Sequence, residues 1–138
     1  MPVVKDETLP ILAETDVVQV RQTVRKWAAQ LTFTLVDQTK IVTAASELAR
    51  NVLVHGKGGS ARLEALEEGS RRGLRLTFED RGPGIADVKL ALRDGFTTGN
   101  GLGLGLGGSR RLVNEFEIFS KPGEGTRVTI IRWIIRWK

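Results

Sequence analysis

Seven of the 16 glycines in this chain fall in one short run, Gly95-Phe96-Thr97-Thr98-Gly99-Asn100-Gly101-Leu102-Gly103-Leu104-Gly105-Leu106-Gly107-Gly108. The run reads as a loop. Glycine permits positive φ and lets backbone N–H groups approach a ligand closely. The residues that follow, Ser109-Arg110-Arg111-Leu112-Val113, look helical, and a helix N-terminus beyond such a loop adds unpaired donors and partial positive charge. The alternating leucines would anchor the loop on apolar surface while its peptide groups face an anion, which points to phosphate. Taken alone, the pattern fits tight packing or a flexible linker equally well. No Gly-x-x-x-x-Gly-Lys-Ser/Thr is present and no acidic residue follows a strand–Gly-x-Gly-x-x-Gly–helix unit, so neither a P-loop nor a dinucleotide fold is expected. The loop needs partners from elsewhere.

A chain of 138 residues with 41% hydrophobic content is expected to make one domain with a packed core. It has no cysteine and one histidine, His55, which removes disulfides, thiolate metal sites and any multi-histidine centre within one chain. A soluble, cytoplasmic protein is expected: the N-terminus lacks the apolar core of a signal peptide, and no stretch is long enough to span a bilayer. A formal charge of +5 favours polyanionic partners such as nucleotides or acidic protein faces. With no recognition helix or zinc pattern evident, nucleic acid is not among the expected partners.

Periodicity predicts a short strand near Thr8–Ala13, then a helix capped by Asp16 with Val17, Val20, Val24, Trp27 and Leu31 on one face. A second helix covers Leu35–Val54, with Ile41, Ala44, Ala45, Leu48 and Val52 as its stripe, and Gly56-Lys57-Gly58-Gly59 ends it. Strands at Ala61–Glu67 and Leu74–Glu79 read as a hairpin. A short helix at Ala86–Arg93, the glycine loop, a helix through Val113, and strands at Phe116–Lys121 and Thr126–Trp133 complete the order. Helices first and most strands later imply an α+β two-layer sandwich of helices on a mixed sheet.

Within the second helix Glu47 and Asn51 are four residues apart and share a face, offset by roughly 40°. An asparagine carbonyl suits a hard cation such as Mg²⁺, and the glutamate beside it can polarise an attacking hydroxyl or accept its proton. In Glu79-Asp80-Arg81-Gly82-Pro83-Gly84-Ile85, an acidic turn is the ordinary reading. Combined with the other segments it gains chemistry: Asp80 accepts a hydrogen bond from an exocyclic amine, Gly84 admits a flat base and Ile85 packs on it. A buried carboxylate discriminates strongly, because the wrong base leaves it unpaired.

In order, Glu47-Leu48-Ala49-Arg50-Asn51, Asp80-Arg81-Gly82-Pro83-Gly84, Gly99-Asn100-Gly101-Leu102-Gly103-Leu104-Gly105 and Gly123-Glu124-Gly125-Thr126 resemble the four nucleotide-binding boxes of the GHKL ATPase and kinase superfamily. More narrowly, Ser46–Asn51, Asp94–Gly99, Gly107–Leu112, Asn114–Glu117 and Gly123–Thr126 resemble the RsbT-type switch kinases of the bacterial stressosome, from about Thr8 to Trp133. The resemblance implies a single Bergerat-fold, histidine-kinase-like ATPase domain over 1–138, binding ATP and Mg²⁺. It also implies a serine/threonine kinase acting on a STAS-domain partner, with a PP2C-type phosphatase as a further partner after release. By the same resemblance Asn51 would coordinate Mg²⁺, Glu47 would be the base, Asp80 would read the adenine amine and Thr126 would support that contact. Gly82, Gly84 and Ile85 would shape the base pocket, and Gly99, Gly101, Leu102, Gly103, Leu104 and Gly105 the lid around the phosphates.

Two other functions fit the same boxes: an anti-sigma factor kinase that sequesters a sigma factor, and an idle, ATP-responsive binding module. Retention of both Glu47 and Asn51 argues against the second. The tail departs from the family pattern, since Ile130-Ile131-Arg132-Trp133 is repeated at once by Ile134-Ile135-Arg136-Trp137. Residues 134–138 are read as a C-terminal extension, either a prolonged last strand with tryptophans and arginines on opposite faces or a docking segment.

Overall fold

The computed structural model describes residues 2–93 and 105–135. Its elements are β1 (Val3–Ile11), α1 (Glu14–Gln30), α2 (Leu35–Val54), β2 (Gly59–Glu68), β3 (Arg71–Asp80), α3 (Val88–Ala91), α4 (Leu106–Arg111), β4 (Glu115–Lys121) and β5 (Gly125–Ile135). The strands form one sheet in the order β1-β2-β3-β5-β4, with α1 and α2 packed on one face. The expected α+β sandwich is present, but the sheet is antiparallel at every pairing rather than mixed. The connections explain this. Two helices lie between β1 and β2, so the chain reverses three times and β2 returns antiparallel, where a single crossover helix, with two reversals, would have made the pair parallel. β3 and β4 do point the same way, but β5 is inserted between them.

The helix stripe on α1 is buried as its spacing predicts, through Val17, Val20, Val24, Trp27 and Ala28. Asp16 is not its cap. Ala13 occupies that position in an extended conformation, because the chain turns directly out of β1. The Asp16 carboxylate reaches back from the first turn to accept the N–H groups of Leu12 at 2.8 Å and Ala13 at 3.1 Å, satisfying donors that a helix start leaves open. α2 starts where Thr34 accepts the Asp37 N–H at 3.1 Å. It buries Ile41, Ala44, Ala45, Leu48 and Val52. Against these helices stand Ala61, Leu63, Leu74, Leu76, Phe78, Val128 and Ile130, all buried, from alternate positions of β2, β3 and β5. Each large side chain in that layer contributes about 1.5–3 kcal/mol by leaving water.

α3 is shorter than expected because Asp87, accepting the Leu90 N–H at 3.0 Å, caps it and leaves Ala86 outside. α4 stops at Arg111 rather than Val113: Leu112 N–H closes on Ser109 at 3.1 Å, and Asn114 N–H already joins Ile131 at 3.0 Å. The last strand continues to Ile135 opposite Arg71. Arg132 faces the helices, binding Asp37 at 2.6 Å and the Leu112 carbonyl at 2.9 Å. Trp133 lies on the opposite sheet face, under the Arg71 guanidinium at 3.8 Å from the ring centre. The expected separation of tryptophan and arginine therefore holds at these two positions, while Arg136 and Trp137 lie outside the described residues. On that open face Arg75 grips Glu64 through two hydrogen bonds, at 2.8 and 3.1 Å. The guanidinium holds the Glu64 carboxyl below its ordinary range. β1 and β4 form the two edges of the sheet.

Candidate active site

One cleft gathers residues from separate parts of the chain. It opens between α2, the end of β3, β5 and the start of α4. Its apolar wall comes from Leu48, Val52, Phe78, Ile85, Leu106 and Val128, and its polar points are Asn51, His55, Asp80 and Thr126. An apolar slot with few polar anchors suits a flat heterocycle.

Asp80 is the last residue of β3, half-buried at the inner end of the cleft. Burial pushes its carboxyl above the ordinary aspartate range, and the backbone N–H groups of Gly82 and Thr126 pull it partly back. The Gly82 N–H donates to its Oδ1 at 2.9 Å. Room for this carboxylate is made by Gly56, where a Cβ would stand 2.4 Å from Asp80 Oδ2. Sequence reasoning took Gly56 only as a helix terminator. Its place within a four-residue, glycine-rich cluster was a signal, though one with no direction.

The segment after β3 is clasped to the β4–β5 hairpin. Ile85 N–H donates to Ser120 Oγ at 2.8 Å, and Gly123 N–H donates to the Pro83 carbonyl at 2.7 Å. Ser120 Oγ lies 3.0 Å from the Gly125 carbonyl and 2.8 Å from Thr126 Oγ1. One proton arrangement satisfies all three contacts: Ser120 donates to Gly125 and accepts from both Ile85 N–H and the Thr126 hydroxyl. Gly84 adopts φ +76, and a Cβ there would meet the Lys121 carbonyl at 2.1 Å. Ser120 was not singled out from the sequence. The available signal was a hydroxyl in the same alternate row as the half-buried Phe116 and Ile118. Thr126 sits opposite Asp80 in the β3–β5 ladder, with its hydroxyl engaged by Ser120.

Glu47 is exposed on α2 one turn before Asn51, outside the residues that line the cleft. Gly105, at φ +66, stands at the head of α4, and a Cβ there would lie 2.7 Å from Glu47 Oε2. The structure thus brings Asn51, Asp80, Gly84, Ile85 and Thr126 to one cleft, with Gly82 bonded to Asp80 and with Glu47 and Gly105 against each other beside it. Gly99, Gly101, Leu102, Gly103 and Leu104 lie outside the described residues. Among the described residues no group of three or more His, Asp or Glu side chains could hold a metal ion, and no helix is long and apolar enough to cross a membrane.

Residues 36–134 match the family model described as histidine kinase-, DNA gyrase B-, and HSP90-like ATPase. The chain belongs to that family. It is 44% identical to the serine/threonine-protein kinase RsbT of Bacillus subtilis, over 90% of this chain and 93% of that one. The anti-sigma F factor of Anoxybacillus flavithermus is 34% identical, over 86% of this chain and 84% of the relative. Among solved structures, the SiaB-SiaC complex from Pseudomonas aeruginosa contains a chain that aligns with a TM-score of 0.55 at 13% identity, covering 96% of this chain and 91% of that one, a likeness of fold. Within the ATPase family the chain falls with the RsbT-type serine/threonine protein kinases, and phosphoryl transfer from ATP to a protein hydroxyl is its activity class.

Proposed function

We propose that the chain phosphorylates a STAS-domain partner with Mg-ATP and, by doing so, switches partners in a stressosome-type signalling pathway. The observation that supports the site assignment is one cleft lined by Asn51, Asp80, Ile85 and Thr126 together, with Glu47 one turn before Asn51 on the same helix. Glu47 and His55 are about 12 Å apart along the helix axis, a span suited to a ligand with a base at one end and an anion at the other. Asp80 accepts the exocyclic amine of adenine, Ile85 and Val128 cover the ring, and Thr126, held by Ser120, fixes the β5 side of the pocket.

The donor set fits Mg²⁺ of the substrate-borne kind. One side-chain carbonyl, Asn51, lines the cleft with no acidic cage among the described residues, and Mg²⁺ commonly takes a few protein oxygens and fills its shell with water and phosphate oxygens. When bound there it neutralises phosphate charge. The protein's own work is to position the acceptor hydroxyl beside Glu47 and to exclude water with the α4 side of the cleft. The hydroxyl oxygen bonds to the γ-phosphorus as its bond to the ADP oxygen breaks, and the hydroxyl proton passes to the Glu47 carboxylate.

Glu47→Gln should keep Mg-ATP affinity and lose transfer to the STAS protein by about a hundredfold or more, as expected for a removed general base. Equal phosphorylation by Glu47→Gln and the parent would reject the assignment. Kinship with anti-sigma F factors supports one second reading, an anti-sigma kinase. Capture of a sigma factor by the ATP-loaded chain separates it from the first, in which addition of ATP releases the STAS protein and frees the kinase for a PP2C-type phosphatase.

A further inference from the structure

Next to the nucleotide cleft, α3 and α4 flank a second, shallow concavity open to solvent, and Lys89, Arg93, Arg110 and Arg111 are four of the five described residues that line it. No acidic residue is among these described lining residues. Lys89, Arg93 and Arg110 make no ion pair with any described residue. Cations brought together without counter-charge repel one another, and an anion relieves that repulsion.

We propose that this concavity is the docking subsite for acidic side chains that flank the acceptor hydroxyl on the substrate protein. Two observations favour a protein occupant over the phosphates of the nucleotide. Among the described residues, the concavity and the nucleotide cleft share no lining residue. α4 also joins the two sites in one direction: Gly105 at its head lies against Glu47, whereas Arg110 and Arg111 occupy its last turn, about 8 Å further along the axis. A protein that places a serine or threonine at Glu47 must lie across α4, and its neighbouring residues then reach Lys89, Arg93 and Arg110. The inference rests on the proposed kinase reading for the identity of the occupant, while the anion subsite itself does not.

The test uses the full chain and two probes. The first is hexaglutamate, followed by NMR at the backbone amides of Lys89, Leu92 and Arg110. Salt-sensitive shifts at these amides, lost in Lys89→Glu/Arg110→Glu, are expected. The absence of shifts at low salt would overturn the subsite whether or not the chain is a kinase. The second is a STAS protein that the parent phosphorylates. The double variant should raise the KM for that protein at least tenfold and flatten its salt dependence, with Mg-ATP affinity unchanged and a melting temperature matching the parent. Lys89→Gln/Arg110→Gln should fall between the two. A fall in ATP affinity with unchanged protein KM would instead assign the cations to the nucleotide, and unchanged values of both would leave a solvated basic face; either result overturns the proposal. If the parent labels no STAS protein, the kinase reading fails and hexaglutamate still decides the subsite.

Discussion

Ser120→Ala tests whether one hydroxyl holds the base pocket together. The substitution leaves the Ile85 N–H without its acceptor at 2.8 Å and removes the contacts to Gly125 at 3.0 Å and Thr126 at 2.8 Å. These groups are part-buried, so water replaces some of what is lost, and the total cost is about 1–2 kcal/mol. Because the clasped segment forms the pocket, that cost falls on nucleotide binding and predicts Mg-ATP affinity about five- to thirtyfold weaker. Calorimetric titration of parent and variant reads it directly. Thr126→Val, combined with Ser120→Ala in a double-mutant cycle, should be non-additive by about 0.5–1 kcal/mol, since both remove the same bond. Affinity within twofold of the parent, with additive single effects, would refute the idea that the hydroxyl network shapes the pocket.

Asp80→Asn is expected to abolish ATP binding yet raise the melting temperature of the unliganded protein at neutral pH. Burial raises the folded-state pKa of Asp80, so ionisation costs folding free energy above that pKa and the amide escapes the cost; a lower melting temperature for the variant at pH 7 would contradict this. Glu64→Gln should cost about 2 kcal/mol in urea unfolding at pH 7. Its folded pKa is depressed, so the advantage of the parent should be complete above the unfolded value of about 4.3 and fade as pH falls through the folded one. A gap between parent and variant that persisted unchanged at pH 2 would count against the Arg75 contact as its source. Trp133→Ala removes the ring lying over Gly73, against which a Cβ at Gly73 would collide at 2.6 Å. Chemical denaturation should show a loss of about 2–3 kcal/mol, with Mg-ATP affinity retained because the ring is on the sheet face away from the cleft.

The helices were legible because their apolar residues recur at three and four and because both carry long stripes, and the hairpin of β2 and β3 followed from alternation. Strand direction was not legible. Whether a sheet is mixed depends on which strand inserts beside which, and nothing local to β4 or β5 encodes that β5 enters between β3 and β4. The position of Asp16 was misread because a carboxylate that caps from the third position looks, in sequence, like one that caps from the first. Asp80, Gly84 and Asn51 were readable as boxes. Ser120 was not, because its importance comes from Ile85 and Gly125, partners 35 and 5 residues away, and no spacing rule connects them.

The outer border of the sheet at β1 exposes Lys5, Asp6, Glu7 and Pro10 in succession around Thr8 and Leu9. Mixed charges disfavour a neighbouring strand of like pattern, and proline lacks the donor that a ladder needs at its position. Under the proposed function the chain would release one protein and take up another, and a border of this kind disfavours the chain zipping onto copies of itself.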